Sequence, residues 1–427
     1  MPRGAEDRIM NGLLKANPQL GIEEAESLLN CDWQIVAPAH RAYEEDLWPA
    51  IWALAAVLVR QFSGKIFIQA GLAEFAAMPV HLGPRCLLAT EIQSQALLIG
   101  LGCKPENAVC FGDARGHNFS VGKLLPGEIS STPLTGFAVA GYLGFAALAK
   151  RVGIPSYRLE YTVQEAQLPW IEGATSQWPS EPITFIGLGH LGNAYLAALF
   201  FLSRREKFVP TLHLVDRDRF EEPNYKTQIL LDDSQVWIGL EKVAYLSDMA
   251  SSFGWAVTAE SAEVDWGWRG KTPNAGIAIL GLDKFEPRRA TFSAGFTWIV
   301  DAGLNSRFEA PRISWNSVPA DQKLANTLFA EEQPQQSGDI NTGLRRQLES
   351  TPGQCGWLRF LQVEASAPAM GLVAAALALS ELRLVVAGRP QQVTASLGLW
   401  SPILPFFVEE ARLANSTSEV QIVSECQ

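Results

Sequence analysis

Short apolar runs alternate with polar stretches along the second half of the chain. ITFIGLG, starting at Ile183, is β-branched and ends in glycines, the pattern of a buried parallel strand entering a turn. HLGNAYLAALFFL (190–202) repeats apolar residues at helical spacing, and TLHLVD (211–216) reads as a second strand. GIAILGLD (276–283) and TWIVDAGL (297–304) read as two further buried strands. Strands alternating with helices predict an α/β fold built on a parallel sheet. EGATSQWPSEP (172–182) collects Gly, Ser, two Pro and two acids between apolar segments, the signature of a linker or long surface loop. It divides the chain into units of about 1–172 and 173–427. Residues 320–356 are polar with few large apolar side chains, which predicts a long loop over about 320–360.

The first unit carries an echo of the second. STPLTGFAVAGYLGFAALAK (131–150) and SAPAMGLVAAALALSELRLV (366–385) each place Gly three residues after Pro and continue as an Ala-rich apolar helix. Shared composition accounts for such a likeness, and so does a duplicated domain whose first copy has lost its glycine loop. KIFIQAGLAEF (65–75) is where that lost loop is expected to have been.

The longest apolar runs, Ala50–Val59 and Gly371–Leu379, fall short of the ~20 residues of a spanning helix and read as core helices. No membrane association is therefore expected. Of the 427 residues, 48% are hydrophobic and 19% charged, enough apolar material for sizeable cores. The net charge of −11 and the lack of any dense Lys/Arg cluster argue against nucleic acid as a partner. Six cysteines, none paired as C-x-x-C, and no recognisable leader point to a reducing, cytoplasmic setting.

Gly187-Leu188-Gly189-His190-Leu191-Gly192 is G-x-G-x-x-G between a strand and a helix. Such glycines let backbone approach phosphates, and the helix start supplies N–H groups and a positive dipole end. Asp216, 24 residues past Gly192, closes the next strand, where an acid binds ribose hydroxyls. These residues alone read as a nucleotide or dinucleotide site. Taken singly, Asp216 and Asp218 also suit ordinary turns, Lys242 a solvated surface lysine, Asp283 a helix N-cap and His190 a space-filling loop residue.

The order of the segments from Val215 onward changes that reading. VDRDRFEEPNYKTQILL, then IGLEK, then ILGLDKFEPRR and the Pro-x-x-Gly helix at 368–379 resemble the signature of the ThiF/MoeB and ubiquitin-activating enzyme superfamily. The matching positions are Asp216, Asp218, Asn224, Gln228, Gly239, Lys242, Asp283 and Arg288, and the resemblance covers about residues 182–385. It implies a Rossmann-like adenylation domain with a parallel-sheet core at 173–427, preceded at 1–172 by a degenerate, inactive copy of the same fold. It also implies ATP and Mg²⁺ as cofactors. Gly187, Gly189 and Gly192 would cradle the nucleotide, Asp216 the ribose and Lys242 the phosphates. Asp283 would anchor the metal, Asn224 and Gln228 would complete the polar wall, and Asp218 and Arg288 would be further nucleotide-binding positions. The pattern departs at Thr227, where the family has Arg; Lys226 or an Arg from elsewhere would then substitute.

The resemblance further implies a ubiquitin-like protein with a C-terminal Gly as substrate, a conjugating enzyme as receiver and a thioester on an enzyme cysteine. Cys355, in TPGQCGWL at the end of the long loop, is the candidate; a buried structural thiol is its alternative. Cys426 lies in a polar tail, and Arg8 is a candidate donor to ATP from the first unit, or an exposed helix-start residue. Zinc is not expected: Cys103, Cys110 and His117 are spaced C-x₆-C-x₆-H, poor for a metal. The leading expectation is a compact bacterial activating enzyme of an antiphage conjugation pathway, a homo-oligomer being left open. The rivals are a sulfur-carrier or peptide-modifying adenylyltransferase without an enzyme thioester, and a nucleotide-binding scaffold without turnover.

Overall fold

The computed structural model describes residues 9–10, 13–14, 20–43, 46–69, 78–116, 118–153, 166–167, 178–179, 181–270, 276–304, 312–329, 367–390, 392–398 and 407–409. These form two sheets. The first contains β1 (Trp33–Val36), β2 (Ile66–Gln69), β3 (Cys86–Leu88), β4 (Leu97–Leu101), β5 (Cys110–Arg115), β6 (Asn118–Val121) and β7 (Ala166–Gln167). Its order is β3-β2-β1-β4-β5-β6-β7. β3 to β5 run parallel across this order, and β6 and β7 are antiparallel.

The second sheet contains β8 (Ile183–Ile186), β9 (Thr211–Val215), β10 (Ala256–Glu260), β11 (Ile277–Leu280), β12 (Trp298–Leu304), β13 (Arg312–Pro319), β14 (Val393–Gly398) and β15 (Phe407–Glu409). Its order, β10-β9-β8-β11-β12-β13-β14-β15, repeats that of the first sheet with one strand added. Five parallel strands again lead into antiparallel ones. The architecture is thus α/β and Rossmann-like, with mixed sheets dominated by parallel strands.

Helices α2 (Trp48–Gln61), α3 (Pro133–Val152), α4 (His190–Glu206) and α8 (Pro368–Val386) pack on one another, and α1 (Ile22–Leu29) lies against α3 with one face exposed. The remaining helices are α5 (Lys242–Ser252), α6 (Phe285–Thr291) and α7 (Gln322–Leu328). The two helices that echo each other in sequence, α3 and α8, pack face to face. Their approach needs glycine: a Cβ on Gly141 would lie 2.6 Å from the Ala369 carbonyl oxygen. One continuous hydrophobic core joins both halves across this layer. Among the described residues only α8 is long and apolar enough to cross a membrane, and it is buried throughout that core.

Two expectations are corrected. Residues 322–328, read as loop, are helical because Asp321 caps the start, accepting from the Lys323 N–H at 2.7 Å, and Ala325 turns inward. The lost glycine loop, expected at 65–75, has its place elsewhere. Strand order and register make β1 the counterpart of β8, so the equivalent turn begins at Ala37. In both halves this residue's N–H bonds the end of the next strand: Ala37 to Gln69 at 3.0 Å and Gly187 to Val215 at 2.9 Å.

Candidate active site

Three strands of the second sheet end level. Ile186 pairs with Val215 on one side and Leu280 on the other, so Gly187, Asp216 and Gly281 share one carboxyl edge. In doubly wound sheets this edge is where ligands bind. Gly187 has φ +84°, and a Cβ on it would meet the Gly281 carbonyl carbon at 2.8 Å. A Cβ on Gly192 would lie 2.3 Å from the Gly187 oxygen. Both positions therefore exclude a side chain. Gly189, the N-cap of α4, faces open space, which leaves the helix start uncovered. His190 packs on α8, where a Cβ at Gly371 would lie 2.4 Å from its Nε2. The glycine of Pro368-x-x-Gly371 thus seats the loop against the helix layer.

Asp216 ties this loop to β9. Its Oδ2 accepts from the Leu188 N–H at 2.6 Å and its Oδ1 from the Asp218 N–H at 2.7 Å. Burial pushes its carboxyl up, opposed by Lys242 and by these two N–H groups. A carboxylate offers more acceptor positions than two bonds use. Lys242 begins α5 and is not a solvated surface residue: it is 7% exposed and its Nζ reaches Asp218 Oδ2 at 3.1 Å. Gly239, with φ +81°, makes the turn that delivers it.

A second layer supports the loop from below. Asn193 Nδ2 lies within hydrogen-bonding distance of Leu188 O (2.8 Å), Gly189 O (3.0 Å) and Gln228 Oε1 (3.1 Å). Three acceptors around one end fix the amide's orientation. Asn224 Oδ1 accepts from the Glu221 N–H at 2.9 Å, closing a capping box over residues 222–226. Thr227 is buried, and its hydroxyl has no partner among the described residues. Lys226 turns toward the first half, its Nζ 3.5 Å from the Arg60 carbonyl.

Asp283 is exposed, two residues past Gly281, and its carboxylate has no partner among the described residues. Arg288 is buried beneath it. It donates to Leu282 O at 2.9 Å, Asp301 Oδ2 at 3.1 Å and Ala302 O at 3.2 Å. Its guanidinium therefore holds the residue next to Asp283 and neutralises Asp301, whose carboxyl burial pushes up. Cys355, Cys426, Arg8 and His117 lie outside the described residues. Among those described, no three His, Cys, Asp or Glu side chains converge as a metal site.

The corresponding edge of the first sheet is filled. Ala37-Pro38-Ala39 replaces Gly187-Leu188-Gly189, and by strand register Cys103 stands where Asp283 does. Arg41 donates to Asp46 Oδ2 at 2.8 Å, Asp113 Oδ1 at 2.6 Å and Ala114 O at 2.6 Å. All three charged residues are buried. Sequence reasoning missed this plug, and it missed Asn193 and Arg60. Asn193, one residue past the motif on the helix's inner turn, was the one with a readable signal.

Residues 179–389 match the family described as BilD C-terminal domain. The chain is 24% identical over 292 residues to Bacterial E1-like protein BilD from Collimonas sp. (strain OK412), covering 67% of this chain and 59% of that relative. Crystal structures of E. coli MccB are also similar. One of them has a TM-score of 0.38 at 13% identity, covering 74% of this chain and 98% of that one. The one with AMPCPP and SeMet MccA has a TM-score of 0.36 at 15% identity, over 64% and 69%. That structural likeness is too distant to bear on chemistry. The family match falls within the second half of the chain, and the chain spans about three fifths of the length of the E1-like relative.

Proposed function

We propose that the chain is an E1-like adenylyltransferase that activates the C-terminal carboxylate of a ubiquitin-like protein. The observation that carries this reading is one shared edge. There a bare glycine loop at a helix start, the Asp216–Asp218–Lys242 network and the carboxylate of Asp283, partnerless among the described residues, lie side by side. A carboxylate attacking a triphosphate brings two anions together, so the site must supply positive charge and alignment. The N–H groups of the loop and Lys242 supply the charge. Asp283 fits a Mg²⁺ ion held mainly by phosphates, since such sites use one or two carboxylates. Magnesium would supply charge neutralisation of the phosphate oxygens.

In the reaction the substrate carboxylate oxygen bonds to the α-phosphorus, the α–β bridging P–O bond breaks and pyrophosphate leaves. A cysteine thiolate then attacks the acyl carbon and AMP departs. The four described cysteines are poor candidates, because burial raises all four thiols, Cys86 and Cys110 to about 12. Cys355 keeps that role in the proposal, and a conjugating enzyme would receive the thioester. ATP–pyrophosphate exchange that depends on a small protein ending in Gly tests the first step. Nucleotide binding without exchange would favour a scaffold instead. Cys355→Ala should keep exchange and lose a reductant-sensitive enzyme–substrate adduct on a non-reducing gel; an adduct that persists in the variant removes Cys355 from the mechanism.

The filled edge of the first sheet sets the stoichiometry. A nucleotide there would have to displace the buried Arg41–Asp46–Asp113 cluster, and uncovering a buried ion pair is costly. Calorimetry with a non-hydrolysable ATP analogue should give one site per chain. A value near two would refute an inactive first half.

A further inference from the structure

We infer that Arg60, on α2 of the first half, is a positioning residue for the nucleotide loop of the second, acting through Gln228 and Asn193. This rests on the proposed nucleotide site. Arg60 is 1% exposed and forms no ion pair with a carboxylate among the described residues. Its guanidinium is spent on backbone carbonyls. Nε donates to Gln228 O at 3.2 Å, Nη2 to Ile229 O at 2.9 Å and also to Leu231 O, and Nη1 to Ala56 O of its own helix at 2.7 Å. The Tyr225 ring lies under the guanidinium, 5.0 Å away. Residues 225–231 are thus clasped along their length by one side chain from the other half.

The clasped segment is the one that reaches the loop. Gln228 Oε1 accepts from Asn193 Nδ2, which also bonds the carbonyls of Leu188 and Gly189 inside the glycine motif. The chain of contacts is therefore Arg60, Gln228 backbone, Gln228 side chain, Asn193 and loop. The first half also comes close just past this segment: a Cβ on Gly83 would meet the Asp233 carboxylate at 2.4 Å. Because the fork of a guanidinium addresses several carbonyls at fixed angles, lysine cannot replace it. The relay explains how a half whose own edge is plugged still contributes to chemistry: it sets the geometry of the other half's loop.

Arg60→Lys in the full chain, titrated with a fluorescent ATP analogue, should bind about 10-fold more weakly, the usual effect of losing a supporting partner. Amide exchange at residues 187–192 should accelerate, which a purely stabilising role elsewhere in the core would not produce. Combined with Gln228→Ala, the loss should be less than the sum of the two, since both cut one chain. Additive losses, or a variant that binds as tightly as the wild type with an unchanged loop, overturn the relay. If Arg60→Lys does not fold, Gln228→Ala decides, because it leaves the clasp whole and cuts the link to Asn193; unchanged affinity there also overturns it. Wild-type protein that binds no adenine nucleotide overturns the site itself, a result distinct from variants that bind equally well.

Discussion

Asp283→Ala is expected to lower pyrophosphate exchange by at least about 100-fold, the scale of removing one electrostatic group from a reacting centre. The folded protein should be nearly unchanged. Asp283 is exposed, caps no helix by a side-chain bond and has no partner among the described residues, so its stability cost should stay within about 0.5 kcal/mol. That separation makes the variant informative. Lys242→Ala is a poorer probe, because Lys242 is buried against Asp218 and opposes the burial that already raises the Asp216 carboxyl. Removing it would perturb the loop's tie to β9 as well as any phosphate contact. Exchange and thermal unfolding measured on one preparation of Asp283→Ala decide the point. Wild-type exchange would end the assignment, and a collapsed melting temperature would show that the residue supports the fold.

The parts of this site legible in sequence are those where backbone geometry dictates the residue. Gly187 announces itself because no side chain fits between it and Gly281, Gly192 because none fits beside the Gly187 carbonyl, and Asp216 because a strand end leaves N–H groups to satisfy. Lys242 is expected at the site only through the order of its neighbours; alone it looks like a surface lysine, whereas the structure buries it against Asp218. What sequence hides is contact across the chain. Arg60 meets Ile229 from 169 positions away, and nothing in VLVRQF marks that arginine as buried. The first half's glycine loop reads as 65–75 because no glycine comes directly after β1; only strand order shows that Ala37 takes the place of Gly187. Arg288 matches a motif position, yet its donors face Leu282, Asp301 and Ala302. The motif locates the helix and leaves the direction of the side chain open.

The helix layer that joins the halves carries a titratable group, and its stability should depend on pH accordingly. Glu381 on α8 has no solvent exposure, and the Trp315 indole is the one described group that draws on its carboxylate. Burial pushes its carboxyl up to about 7, with the Trp315 indole on β13 pulling the other way. In the unfolded chain the same group titrates near 4.5. Between these values the folded state holds a proton that the unfolded state has lost, so stability falls as pH rises through the window, and the full cost is present above about pH 7. A shift from 4.5 to about 7 corresponds to an upper bound of about 3 kcal/mol. Glu381→Gln keeps the shape of the protonated acid and cannot ionise. It should exceed the wild type by less than about 1 kcal/mol at pH 5 and by up to about 3 kcal/mol at pH 8.5, visible as denaturation midpoints that diverge with rising pH. Parallel midpoints from pH 5 to 8.5 would mean that the carboxylate finds a partner in the folded chain, and Asp301 on the adjacent β12, also raised by burial, would not explain a difference, because the variant leaves it unchanged.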